Sequence, residues 1–191
     1  DELHRRLGQE LNLAAEGEEL LKKAYSLALS CHDGQLRDEG TAYILHPLRV
    51  ALILAAELGI KEVGLISAAL LHDVLEDADI TREELVKAVG ERVTQMVDTM
   101  TKRPLEDYSS QKERSLDYHL TILNSSLEVK KIKLADRLDN VRGLHLSPDE
   151  AKRRRYLEWT KEMLLPMAAD TDEYLYSALA AWCREFESQY S

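Results

Sequence analysis

Cysteine is scarce: Cys31 and Cys183 are the two present in 191 residues. So few and so widely spaced, they suggest no disulfide framework, and free thiols in a reducing compartment are expected. Positive charge is also short, with 25 Lys and Arg against 35 Asp and Glu and a formal net charge of -10. That balance argues against a broad basic surface for a polyanion, so no nucleic-acid partner is expected. A local cluster of Arg and Lys, or a bound cation, can still hold a small phosphorylated ligand. No apolar run approaches the roughly 20 residues that cross a bilayer. The opening Asp1-Glu2-Leu3-His4-Arg5 has neither the n-region nor the h-region of a signal peptide. A cytoplasmic location without a membrane partner is therefore expected. Strand-like alternation and a Walker motif are missing too, which disfavours a sheet and nucleotide-driven transfer.

What is present is helical periodicity. Leu20, Leu21, Ala24, Leu27, Ala28 and Cys31 recur at steps of three and four. The polar loop from Asp33 to Thr41 follows, and loops held by a rigid scaffold often carry ligand contacts. Pro47 suits the first turn of a helix over 48–58 that stops at Gly59. Thr81-Arg82-Glu83-Glu84 is a capping box. Val93, Met96, Val97 and Met100 continue the pattern, and Pro148 is expected at the first position of a late helix. With 45% hydrophobic residues the chain can bury one continuous core. We expect an all-α helical bundle without significant sheet, comprising an N-terminal extension over 1–15 and a single domain over 16–191. Homo-oligomer formation through the late helices is possible.

The chemistry concentrates in Leu70-Leu71-His72-Asp73-Val74-Leu75-Glu76-Asp77, where four polar side chains follow a segment that reads as a buried helix. Burying them unpaired would be costly, so something must compensate them. On a continuous helix His72 lies over Glu76 and Asp73 over Asp77, giving two stacked rows, one for a metal ion and one for a water. Adjacent helical residues diverge by about 100°, so further ligands must come from elsewhere in the chain. His46 and Asp136, each in apolar helix-like surroundings, supply them. Two imidazoles and two carboxylates suit Mn²⁺, Fe²⁺ or Zn²⁺, and the lack of thiolates disfavours a purely structural zinc. Glu76 or Asp77 would accept or relay a proton from water. The run Lys152-Arg153-Arg154-Arg155 reads as a solvated helix face, and Trp159 and Trp182 as core or interface residues.

The order His, His-Asp, Asp is the pattern of the HD phosphohydrolases. Four segments narrow the resemblance: His32-x-Gly34-Gln35-x-Arg37, Tyr43-Ile44-x-His46-Pro47, His72-Asp73-x-x-Glu76-Asp77, and Lys133-Leu134-Ala135-Asp136-Arg137-Leu138-x-Asn140-x-Arg142. Together they resemble the hydrolase domain of the RelA/SpoT family over about residues 20–165, as in a stand-alone small alarmone hydrolase. The resemblance implies manganese-dependent removal of the 3′-pyrophosphate from guanosine tetra- and pentaphosphate, the alarmones of the stringent response. It also implies roles by position. His46, His72, Asp73 and Asp136 would ligate one Mn²⁺, with Glu76 and Asp77 as the catalytic pair that handles water. Arg37, Lys102 and Asn140 would contact the nucleotide substrate. Asp38, Ala42 and Asp139 depart from the residues common in relatives, and a carboxylate facing a polyphosphate would repel it. The alternatives are an HD hydrolase of another nucleotide and a non-catalytic nucleotide sensor.

Overall fold

The apolar residues that recur at helical steps fold as helices throughout the structure, a computed structural model that describes residues 2–38, 40–147 and 149–190. Pro148 and Glu39 lie outside the described residues. In chain order the helices are α1 (Glu2–Leu11), α2 (Ala15–Cys31), α3 (Leu45–Leu52), α4 (Val63–Leu70), α5 (Val74–Asp77) and α6 (Arg82–Val89). They continue as α7 (Glu91–Met100), α8 (Gln111–Leu123), α9 (Leu127–Gly143), α10 (Glu150–Trp159), α11 (Leu165–Ala169) and α12 (Glu173–Tyr190). Among the described residues there is no strand, only an isolated antiparallel bridge between Leu36 and Ala42. The fold is an all-α bundle.

Local chemistry explains most boundaries. Thr81 and Glu84 form the reciprocal capping box at the start of α6, and Gly90 takes φ +85° between α6 and α7, a conformation that favours glycine. Glu62 caps α4 by accepting from the amides of Gly64 at 3.0 Å and Leu65 at 2.6 Å. The helix expected over 48–58 begins earlier, at Leu45, with Pro47 in its first turn. It then widens into a π-helical turn, Ile53–Glu57, before Gly59. A second π-helical turn, Thr160–Leu164, joins α10 to α11.

One hydrophobic cluster runs from Leu7 and Leu11 of α1 to Leu175 and Leu179 of α12. α4 lies deep in it, with Leu65 to Leu71 all buried. Each such leucine contributes about 1.5–3 kcal/mol by leaving water, so α4 is a firm base for the polar residues that follow. α3 and α9 flank it. No helix among the described residues is long and apolar enough to cross a membrane.

Candidate functional site

α4 does not continue through the His-Asp pair. The hydrogen bonds tighten at its end, with the Leu71 amide donating to the Ala68 carbonyl at 3.2 Å and the Val74 amide to that of Leu71 at 3.1 Å. Leu71 (φ -110°, ψ 5°) and Asp73 (φ -107°, ψ -5°) adopt the bridge conformation often found at active sites. The His72–Glu76 row expected of a continuous helix is therefore interrupted, whereas the Asp77 amide still donates to the Asp73 carbonyl one turn back at 3.0 Å. Instead, the turn brings His72 Nε2 to 3.0 Å from Asp73 Oδ2, a convergence that 100° spacing would forbid. Asp73 then opens the single-turn helix α5, which carries Glu76 and Asp77.

α3 and α9 complete the cluster. His46 Nε2 lies 3.2 Å from Asp136 Oδ1 and 3.8 Å from Asp73 Oδ2, and His72 Nε2 lies 3.8 Å from Asp136 Oδ1. His46, His72 and Asp136 each offer one ligand atom within 4.8 Å of the others, and all three are buried. The imidazoles are oriented from behind. His72 Nδ1 donates to the Ala69 carbonyl at 2.8 Å and His46 Nδ1 to Asp139 Oδ2 at 2.7 Å. Both Nε2 atoms therefore face the cluster. His72 Nε2 is buried and faces the carboxylates of Asp73 and Asp136, as expected of a nitrogen that receives a cation.

Electrostatics agree. Burial would raise the Asp136 carboxyl, but Lys133, with Nζ 2.7 Å from Oδ2, and the two imidazoles hold it well below the ordinary carboxylate range. Burial likewise works against a charged His72, yet Asp73 and Asp136 lift its pKa to about 9. The site attracts positive charge, and a divalent cation fits it.

Beside the cluster, Glu76 accepts from the Lys102 amide at 2.8 Å and from Lys102 Nζ at 3.1 Å. Lys102, expected to face phosphates, thus holds Glu76 in place. Burial, and next the charge of Asp73, push the Asp77 carboxyl above its usual range. Arg37 Nη2 donates to Asn140 Oδ1 at 2.6 Å, and Asn140 Nδ2 to Asp136 Oδ1 at 2.5 Å, so two expected nucleotide contacts form one chain ending at the cluster. The loop bearing Arg37 is fixed by Gln35, whose side chain donates to the Asp77 carbonyl at 3.1 Å. Gly34 permits its turn at φ +72°.

A cavity of about 710 Å³ opens over this site and is lined by Asp73, Glu76, Asp77, Lys102, Asp136 and Asn140 together with Tyr118, Lys133, Arg137, Tyr156 and Trp159. Its lining corrects two sequence expectations. The basic run is divided: Lys152 and Arg155 line the cavity, whereas Arg154 pairs with Glu150 at 2.9 Å. Trp159, expected to be a core or interface residue, also reaches the cavity wall.

Sequence reasoning missed Tyr43, whose hydroxyl donates to Asp73 Oδ2 at 2.7 Å. In the sequence Asp139 stands out only as a departure from the residue common in relatives. It is buried and accepts from Arg49 Nε at 2.7 Å as well as from His46. A signal was there, because Asp136 and Asp139 share a helix face, as do His46 and Arg49, each pair three residues apart. Asp38 pairs with Lys152 of α10.

With this geometry in view, similarity to known proteins is specific. A family model described as HD domain matches residues 24–169. Over 152 residues the chain is 43% identical to a guanosine-3′,5′-bis(diphosphate) 3′-pyrophosphohydrolase of Aquifex aeolicus, covering 78% of this chain and 21% of that protein. A protein of the same name from Vibrio cholerae is 38% identical over 154 residues, with 78% of this chain and 21% of that protein covered. The chain thus spans about a fifth of the length of these curated relatives. A solved structure described as a metazoan ortholog of SpoT that hydrolyzes ppGpp superposes with a TM-score of 0.80 at 30% identity. That match covers 91% of this chain and 96% of the other. By sequence, fold and the convergence of His46, His72 and Asp136, the chain belongs to the HD domain family.

Proposed function

We propose that the domain over 16–191, with α1 packed on it as an extension, is a manganese-dependent hydrolase that removes the 3′-pyrophosphate of guanosine tetra- and pentaphosphate. The observation that carries this reading is the pair of imidazoles, each oriented through Nδ1 so that Nε2 faces Asp136 and Asp73, beside Glu76 and Asp77. Relatives named for that activity support the substrate. His46, His72, Asp73 and Asp136 would hold the ion. When bound, it supplies Lewis acidity toward the phosphoryl oxygens and neutralises charge on them.

The remaining work belongs to the chain. Asp77, its carboxyl made more basic by burial and Asp73, accepts the proton of a water that attacks the phosphorus bonded to the ribose 3′-oxygen. That oxygen leaves and takes up the proton that Asp77 accepted, giving GDP or GTP with a free 3′-hydroxyl, and pyrophosphate. Glu76, pinned by Lys102, orients the same water. Arg37, steadied by Asn140, presents its guanidinium plane to the purine, and Asn140 contacts the sugar side. The carboxylates that would repel a polyphosphate are engaged elsewhere, Asp139 by His46 and Arg49 and Asp38 by Lys152. This removes the main argument for a less charged substrate.

The test is chromatography of products from Mn²⁺-loaded protein incubated with guanosine tetraphosphate, its adenine counterpart, GTP and cyclic nucleotides. GDP and pyrophosphate from the guanosine alarmone, lost in Asp73→Ala, are expected. Turnover of another panel member alone would replace the substrate, and binding without turnover would make the domain a sensor.

A further inference from the structure

The cations around the cavity are not equivalent. Arg49 is engaged by Asp139, Lys102 by Glu76, Lys133 by Asp136 and Lys152 by Asp38. Arg37 donates to Asn140. Arg137 differs: no carboxylate or carbonyl partner stands within ion-pair or hydrogen-bond distance among the described residues, and its Nη1 is buried without a hydrogen-bond partner. Its guanidinium instead lies over the ring of Tyr156 on α10, with Cζ 4.4 Å from the centroid. Both residues line the cavity, as does Arg155, whose Nη2 stands 3.9 Å from Asp149 Oδ2 in an exposed pair. A ring face fixes the plane of a guanidinium but does not neutralise its charge, and a buried, unneutralised charge is costly.

Lys133, Asp136, Arg137 and Asn140 fall at steps of three and four along α9, so one helix face carries them past the cavity. Asp136 belongs to the metal cluster. Arg137, its neighbour, turns toward α10 and lies over Tyr156.

We propose that Arg137, braced by Tyr156 and assisted by Arg155, is a second oxyanion-binding subsite, separate from the metal cluster, that takes a phosphate group at the other end of the substrate. This rests on the function proposed above, under which the 3′-pyrophosphate lies at the metal cluster and the 5′-diphosphate reaches Arg137. The site therefore selects nucleotides phosphorylated at both ends. The guanidinium fork suits a phosphate, and the pair it forms replaces the missing counter-charge.

The experiment compares kcat/KM of the Mn²⁺-loaded protein for guanosine tetraphosphate and for the same 3′-pyrophosphate lacking its 5′ phosphates. Wild type is expected to favour the doubly phosphorylated nucleotide by about 10- to 100-fold, the usual yield of a charge-assisted hydrogen-bond pair. Arg137→Gln should reduce that ratio toward one, and Arg154→Gln, on the outer face of α10, should leave it at the wild-type value. A wild-type ratio near one overturns the proposal without any variant, and so does an unchanged ratio in Arg137→Gln. If neither nucleotide is turned over, the proposed function falls, and Arg137 is judged by titration with inorganic pyrophosphate, read through the fluorescence of Trp159 in the cavity wall. Binding at least tenfold weaker in Arg137→Gln than in wild type sustains the subsite; equal binding removes it.

Discussion

Asp139 decides how His46 is used. Its Oδ2 accepts the Nδ1 proton of His46, and Arg49 holds the carboxylate from the other side, so the ring is fixed with Nε2 toward the cluster. Asp139→Asn weakens that hold and leaves Arg49 without its counter-charge. Mn²⁺ affinity, measured by calorimetric titration, should fall about 10- to 100-fold, the usual effect of losing such an outer partner. Asp38→Asn, at the exposed pair with Lys152, should leave affinity as it is. The pair Glu76 and Asp77 gives a different signature. Asp77→Asn, which loses the proton acceptor, should lower kcat about 100- to 10,000-fold, and Glu76→Gln, which loses the group that orients the water, should also lower kcat, while nucleotide binding by calorimetry persists in both. The candidate ligands were legible in the sequence because residue type is itself chemistry: a His-Asp pair after an apolar helix needs a partner wherever it is folded. Asp139 was not, because its meaning depends on α3 and α9 lying side by side.

Among the elements, the helices and their caps followed from periodicity and cap chemistry, and the break after α4 did not. Nothing in Leu70-Leu71-His72-Asp73 resembles a helix stop; Leu71 and Val74, on either side of the His-Asp pair, are both fully buried. The pairing between elements was equally hidden. Arg142, part of the motif that suggested the family, serves architecture: its Nη1 and Nη2 reach the two carboxylate oxygens of Glu57 at 2.7 and 2.8 Å, and Glu57 also accepts from the Tyr174 hydroxyl. This joins the π-helical turn after α3 to α9 and α12. Arg142 and Tyr174 hold the Glu57 carboxyl below its ordinary 4.5, against a smaller opposing effect of burial. A depressed carboxylate pKa stabilises the fold above the unfolded value and ceases to do so as pH falls through the folded one. Glu57→Gln should therefore unfold more easily than wild type at pH 7, by about 0.5–1 kcal/mol for a partly exposed pair. In urea titrations the two proteins should converge as pH is lowered below 4.5.

At the scale of the whole molecule, the cluster is built from segments far apart in sequence. His46 comes from α3, His72 and Asp73 from the turn between α4 and α5, and Asp136 from α9. Each segment is anchored in the same hydrophobic core, so the cluster exists only when that core is formed. The site gathers two carboxylates around two imidazoles, and Lys133 and a proton on His72 balance the two negative charges, so a cation that binds there takes the place of the His72 proton. A cation bound there bridges α3, the turn and α9 in the folded state and finds no equivalent site in the unfolded chain. Linkage then requires that it stabilise the fold by about 2.7 kcal/mol at a concentration 100 times its dissociation constant. For a chain of this size that corresponds to a rise of about 5–10 °C in Tm. Calorimetric melts of metal-stripped protein with and without Mn²⁺ should show this rise, and chelator should reverse it. His46→Ala and Asp136→Ala should lose the Mn²⁺-dependent part of the melt, whatever their own stability. An equal rise in those variants would mean that the ion acts elsewhere on the acidic surface, and the assignment of the cluster as the metal centre would fail.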